Sequence, residues 1–158
     1  MILAIDPGPE LSAYVEFDGS RIMHHGIDEN AGIWDLMYRT EAEHMAIEMV
    51  ASYGMPVGED VFLTVWEIGR HCHHWECCAK TDAPNADLVY RKEVKHHLCG
   101  THKAKDANIR QALIDRFGPG KEAAIGRKAT PGPLYGLKSH EWSALAVAVT
   151  WWDTIRER

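Results

Sequence analysis

The chain has 158 residues, 46% hydrophobic and 25% charged, a length that fills one good core and excludes two ordinary domains, so residues 1–158 are expected to form a single unit. No apolar run reaches the roughly 18 residues a membrane span needs, and the brief apolar start, which carries Asp6, does not read as a signal peptide. The net charge of −6 argues against nucleic acid until its distribution is considered: residues 91–138 hold 11 Lys/Arg against 4 Asp/Glu, a local +7 in a chain that is −13 elsewhere.

In chain order, "ILAIDPG" (Ile2–Gly8) is an apolar run ended by Asp-Pro-Gly and reads as a buried strand stopping at a turn. "LSAYVEF" (Leu11–Phe17) alternates, Asp18-Gly19 turns the chain, and "RIMHHGI" (Arg21–Ile27) returns, so the first 27 residues predict a three-strand antiparallel meander. A helix is expected over 32–44, with Ile33, Leu36, Met37 and Tyr38 at helical spacing, then a buried strand over Met45–Ser52 with Glu48 inside it. Glu59–Lys80 predicts a long amphipathic helix whose apolar stripe is Phe62, Val65, Trp66, Gly69, Cys72 and Trp75. "TDAPNAD" breaks it, and "LVYRKEV" (Leu88–Val94) starts as a strand and runs into the basic segment. Lys103–Phe117 is a second amphipathic helix stopped by Gly118-Pro119-Gly120, Gly126–Gly136 is a Gly/Pro-rich loop, and a final helix covers Ser139–Trp152. A meander followed by alternating strands and helices predicts an α/β fold with a mixed sheet flanked by helices.

Two acids stand out. Asp6 ends one apolar strand and Glu48 interrupts another. Burying a carboxylate without a partner is costly, so two such acids call for a metal ion or a catalytic role; a satisfied core acid is the plainer reading of either alone. Mg²⁺ suits them, because it takes oxygen ligands and is commonly held by one or two carboxylates plus phosphate oxygens.

Together, "ILAIDPG", "AIEM", "VKHHLCGTHKAKDANIRQAL" and "SHEWSALAVAV" resemble, in that order and over nearly the whole chain, the RuvC family of Holliday-junction resolvases, within the RNase H-like superfamily. The compact length is most similar to phage-encoded members. The resemblance implies an RNase H-like fold with a five-stranded mixed sheet, the three-strand meander plus two parallel strands. It implies a metal-dependent endodeoxyribonuclease that cuts Holliday junctions or other branched DNA, using up to two Mg²⁺ or Mn²⁺ ions and no nucleotide cofactor. Carried over by position, Asp6 and Glu48 are metal ligands, and Lys95 and Lys105 contact the DNA backbone or scissile phosphate; Lys103 and Arg110 extend that basic surface.

The C-terminal motif departs from the family pattern. An acid or histidine on the last helix is followed there by an aspartate three residues later, which places both on one helix face. Here those positions are His140 and Ser143, and serine cannot replace an anionic ligand. Glu141 lies about 100° further round the helix and is the candidate substitute. The expected catalytic set is therefore Asp6, Glu48, His140 and Glu141, with Asp6, Glu48 and His140 on the metals, or with His140 as general base. The alternative is a non-catalytic branched-DNA-binding relative that lacks the fourth acidic ligand. A small actin-like ATP-binding fragment is disfavoured by length and by the missing second phosphate loop.

A junction has near two-fold symmetry and needs two cuts, so a homodimer is expected, with the Glu59–Lys80 helix as its interface. The expected location is the cytoplasm, of a bacterial host if the chain is phage-encoded. "HCHHWECC" (His71–Cys78) and "HHLCGTH" (His96–His102) raise structural zinc, but their spacing is not that of zinc sites. Cys72 reads as a packed residue, and all four cysteines are expected to be reduced thiols.

Overall fold

The first strand, β1 (Ile2–Asp6), is central to a five-stranded sheet. The computed structural model describes residues 1–52, 54–78 and 85–156. β1 pairs antiparallel with β2 (Leu11–Phe17), which pairs antiparallel with β3 (Ile22–Glu29). On its other side β1 pairs parallel with β4 (His44–Met49), and β4 pairs parallel with β5 (Asp87–Tyr90), giving the order β3-β2-β1-β4-β5. The hairpin tip is held by Asp18, whose Oδ1 accepts from the backbone N–H of Ser20 and of Arg21 at 2.8 and 2.7 Å. Gly19 takes φ +99° there, a conformation open to glycine.

Helices cover both faces. α1 (Asn30–Arg39) and α2 (Glu59–Cys77) lie on one face, and α6 (Glu141–Thr154) on the other, where α3 (Arg91–Cys99) and α4 (Asp106–Phe117) pack around it. α5 (Lys121–Ala124) and a short hairpin, β6 (Gly126–Arg127) with β7 (Thr130–Pro131), lead toward α6. The period-two alternation of the strands sorts the core into two layers. Ile2, Ala4, Val15, Phe17, Ala46 and Val89 meet α6, while Leu3, Ile5, Met45 and Ile47 meet Ile33 and Met37 of α1 and Ile68 and Trp75 of α2. Every residue of α6 from Ala144 to Trp151 is buried, which explains an apolar sequence broken there only by Thr150, whose hydroxyl donates back to the Ala146 carbonyl.

The mixed α/β sheet, its meander and its two added parallel strands match the expectation. Three local readings do not. "RKEVKHHLC" is helical, not the tail of a strand: Glu93 accepts from the Tyr90 backbone N–H at 2.8 Å and caps α3, and Gly100 at φ 69° ends it. The Gly/Pro-rich stretch forms α5's exit and the β6–β7 hairpin. The stripe read as α2's core face is wrong for most of its residues. Thr64, Glu67, Ile68, His71 and Trp75 face the sheet, while Phe62, Val65 and Trp66 are exposed. The expected end of that helix, 79–80, lies outside the described residues.

A buried polar network ties α2 to the turn after β1. Trp34 donates its Nε1–H to Nδ1 of His71 at 3.1 Å, so the neutral ring carries its proton on Nε2 and offers it to Ser12 Oγ at 3.2 Å. Ser12 donates in turn to Asn30 Oδ1 at 2.7 Å and accepts from the Gly8 N–H, and Asn30 Nδ2 returns a bond to the Gly8 carbonyl. Burial holds His71 well below its ordinary range, at about 4, so it stays a neutral linker at physiological pH. Among the described residues no helix is long and apolar enough to cross a membrane.

Candidate active site

The parallel register brings the two strand acids together. Ile5 pairs with Ile47, so Asp6 and Glu48, one step further, lie side by side where β1 and β4 end. Asp6 follows Ala4 and Glu48 follows Ala46 in the alternation, so both side chains belong to the α6 face. In open α/β sheets that end of the strands is where ligands bind.

His140 closes this pair from α6. Its Nδ1–H donates to Asp6 Oδ2 at 2.9 Å, which leaves Nε2 as the free ring nitrogen, on a side chain that is 73% exposed. The backbone just before it is unusual: Ser139 holds φ +40°, the left-handed region that a residue with a side chain rarely adopts. The cost of that conformation is met by Glu141. Its carboxylate is buried, accepts from the Lys138 backbone N–H at 2.5 Å and from His25 Nδ1–H of β3 at 2.8 Å, and so fixes the loop on which His140 stands. Glu141 therefore does not join Asp6 and Glu48. Ser143, one turn into α6, lines the cleft beside His140 and adds no charge there.

Two residues that the sequence reading did not single out complete the site. Arg91 begins α3 directly after β5, the strand next to Glu48. Its guanidinium reaches Glu48 Oε2 at 3.3 Å through Nη1 and Asp106 Oδ1 at 2.6 Å through Nη2. The available signal was position, since both stand at the first residue of a helix on the strands' carboxyl side, but neither has a distinctive local sequence. A cleft of about 520 Å³ opens next to them, lined among others by Arg91, Asp106, Arg110, Lys138, His140 and Ser143. Arg110 lies over the Trp142 ring at 4.5 Å. Lys95 is close enough to Asp106 to help hold its carboxyl below the usual range, after the larger effect of the Arg91 bond. Lys103 and Lys105 are exposed in and at the end of the loop joining α3 to α4.

The electrostatics mark these acids as unusual. Burial raises Glu48 to about 7, an effect that Arg91 opposes without cancelling and that Asp6 and Asp106 reinforce. Asp6 is raised as well, by burial first, with the His140 hydrogen bond working against it. Both neighbouring carboxylates stay raised by burial even with Arg91 and His140 bonded to them. Their donor set, carboxylate oxygens at the strand ends that reach the cleft through His140 and Arg91, fits a hard divalent cation such as Mg²⁺. The fit is to an open site: among the described residues no three His, Cys, Asp or Glu side chains form a ready cage. That also applies to the Cys/His segment, where His71 serves the polar network and none of the four cysteines is in a disulfide.

No family model and no curated protein matches the chain. Solved structures do. Thermus thermophilus RuvC in complex with a Holliday junction substrate matches with a TM-score of 0.67 at 17% identity, over 94% of this chain and 90% of that one. A second Thermus thermophilus RuvC structure matches with a TM-score of 0.62 at 19% identity, over 94% and 91%. The chain therefore has the RuvC, RNase H-like fold from nearly one end to the other.

Proposed function

We propose that the protein is a metal-dependent, structure-selective endonuclease that hydrolyses phosphodiesters in branched DNA, Holliday junctions among them. The observation that carries this reading is the side-by-side placement of Asp6 and Glu48 at the ends of parallel strands, with His140 bonded to Asp6, in a fold like that of a protein solved on a junction. Asp6 and Glu48 would hold Mg²⁺ or Mn²⁺. When bound, the metal supplies Lewis-acid activation of water and charge neutralisation at the phosphate.

The chain's own residues do the rest. Asp6 fixes the His140 tautomer, so Nε2 presents a lone pair toward the cleft and can accept the proton of the attacking water. Glu141, through Lys138 N–H and His25, keeps that imidazole in place. Lys95, Lys103, Lys105 and Arg110 supply the phosphate contacts that orient the strand. Two copies would serve the two cuts of a junction.

A second reading has a specific observation behind it. Ser143 leaves the last helix without its second acid, and Glu141 is engaged elsewhere, which is the arrangement expected of a branched-DNA binder that has lost turnover. Cleavage of labelled four-way junctions with Mg²⁺ and with Mn²⁺ decides between them. The nuclease reading expects strand cuts that fall at least about a hundredfold in Asp6→Asn, while junction binding persists. Binding without cutting in either metal would leave the second reading standing.

A further inference from the structure

The guanidinium of Arg91 stands where a cation is needed. One arm of its fork lies on Glu48 Oε2 and the other on Asp106 Oδ1, and Asp6 is within electrostatic reach of it. The two carboxylates differ in setting. The Glu48 side chain is only 12% exposed at the strand end, whereas the Asp106 side chain is 79% exposed on the cleft rim. The Arg91 side chain lies between them at the junction of β5 and α3, on a residue whose backbone is fixed by the capped start of that helix.

A divalent ion on Glu48 and the present guanidinium position disfavour one another. Arg91 already engages Glu48 Oε2, so an ion bound through that oxygen must displace it, and an ion on Oε1 alone would stand beside a second positive charge in a partly desolvated site. On the strength of the metal site proposed above, we infer that Arg91 is a built-in competitor for that metal: a latch that neutralises Glu48 in the free protein and must give up its Glu48 bond for the ion to load. Asp106 retains the other arm. Its bond is the shorter of the two, and it keeps the displaced guanidinium on the cleft wall with Arg110 and Lys138, where a backbone phosphate would meet it. One residue thus guards Glu48 before an ion binds and afterwards joins the surface that faces the substrate. Metal affinity in the free protein is weakened by about the worth of one charge-assisted hydrogen bond, roughly tenfold.

The test reads binding, not turnover. Mn²⁺ binding to the full chain is measured without DNA at pH 8, from the loss of the free-ion electron paramagnetic resonance signal. Arg91→Gln is expected to bind Mn²⁺ about tenfold more tightly than wild type, and Arg91→Lys, which cannot fork across two carboxylates, to fall between them. Asp6→Asn should lose binding. Circular dichroism checks each variant's fold, and Arg91→Lys carries the test if Arg91→Gln does not fold. Unchanged or weaker binding in the folded Arg91 variants, with wild-type binding still dependent on Asp6, overturns the latch and leaves the proposed nuclease site intact. Absence of binding in wild type and in the Arg91 variants alike removes the metal site itself and the latch with it.

Discussion

Glu48 lies between Ile47 and Met49 in a strand that is otherwise core, and its carboxyl group titrates far from where a free glutamate would. Its ordinary value of 4.5 is raised to about 7, mainly by burial. The folded protein therefore holds this proton more tightly than the unfolded chain does. The stabilisation this gives is fully present below about 4.5 and is lost as the pH rises through 7. Over that window it amounts to about 3 kcal/mol. Denaturant unfolding between pH 4.5 and 8 should show metal-free wild type losing stability relative to Glu48→Gln, by a margin of that order. Acids whose values are lowered, such as Asp18 and Asp153, work in the opposite direction in both proteins and cancel from the comparison. Equal pH profiles for the two would mean that Glu48 is not desolvated as the structure has it.

At the scale of elements, α2 carries two faces that its composition does not distinguish. Thr64, Ile68, His71 and Trp75 bury against the sheet, and His71 joins the network that braces the Asp6–Gly8 turn. The opposite stripe leaves Phe62 64% and Trp66 68% exposed, with Val65 and Leu63 beside them. A contiguous aromatic and aliphatic stripe on a monomer surface is the usual mark of an interface, and aromatic anchors dominate the binding energy of such contacts. The partner that suits the proposed chemistry is a second copy, since an isologous pair presents two clefts to a near-symmetric junction. Trp66→Glu should convert a dimer into a monomer in sedimentation velocity at micromolar concentration, with unfolding free energy changed little because the residue is outside the core. A wild-type monomer at that concentration would remove α2 as a self-association surface.

For the whole molecule, charge is segregated. The +7 segment of residues 91–138 builds α3, α4 and the loops around the cleft, while the acidic remainder forms most of the sheet and its far face. Lys95 lies within α3, Lys103 and Lys105 in and at the end of the loop from α3 into α4, and Arg110 is one helical turn beyond Asp106. Each phosphate contact that this proposed basic surface makes would release counterions. Lys105→Ala should therefore weaken junction binding and reduce the slope of log K against log salt by about 0.9. An unchanged slope in fluorescence anisotropy titrations would take Lys105 out of the contact surface.

What could be read without coordinates followed from local periodicity. Alternation marked the meander, an apolar run ending in Asp-Pro-Gly placed Asp6 at a strand end, and an acid inside "AIEMV" marked Glu48, because a buried carboxylate breaks a pattern that would otherwise be continuous. The fold class and the two acids were legible for that reason. The helix of α3 was not, since its start is set by a Glu93 cap within a charged, weakly periodic stretch. The face of α2 was not, because period fixes which residues share a stripe but not which stripe meets the sheet. Tertiary structure alone decided that Glu141 turns to His25 while His140 turns to Asp6, and that Arg91 reaches Glu48 across 43 residues of sequence and Asp106 across 15. Those contacts depend on parallel strand register and on the angles at which helices leave the sheet, and both are settled by how the two core layers pack.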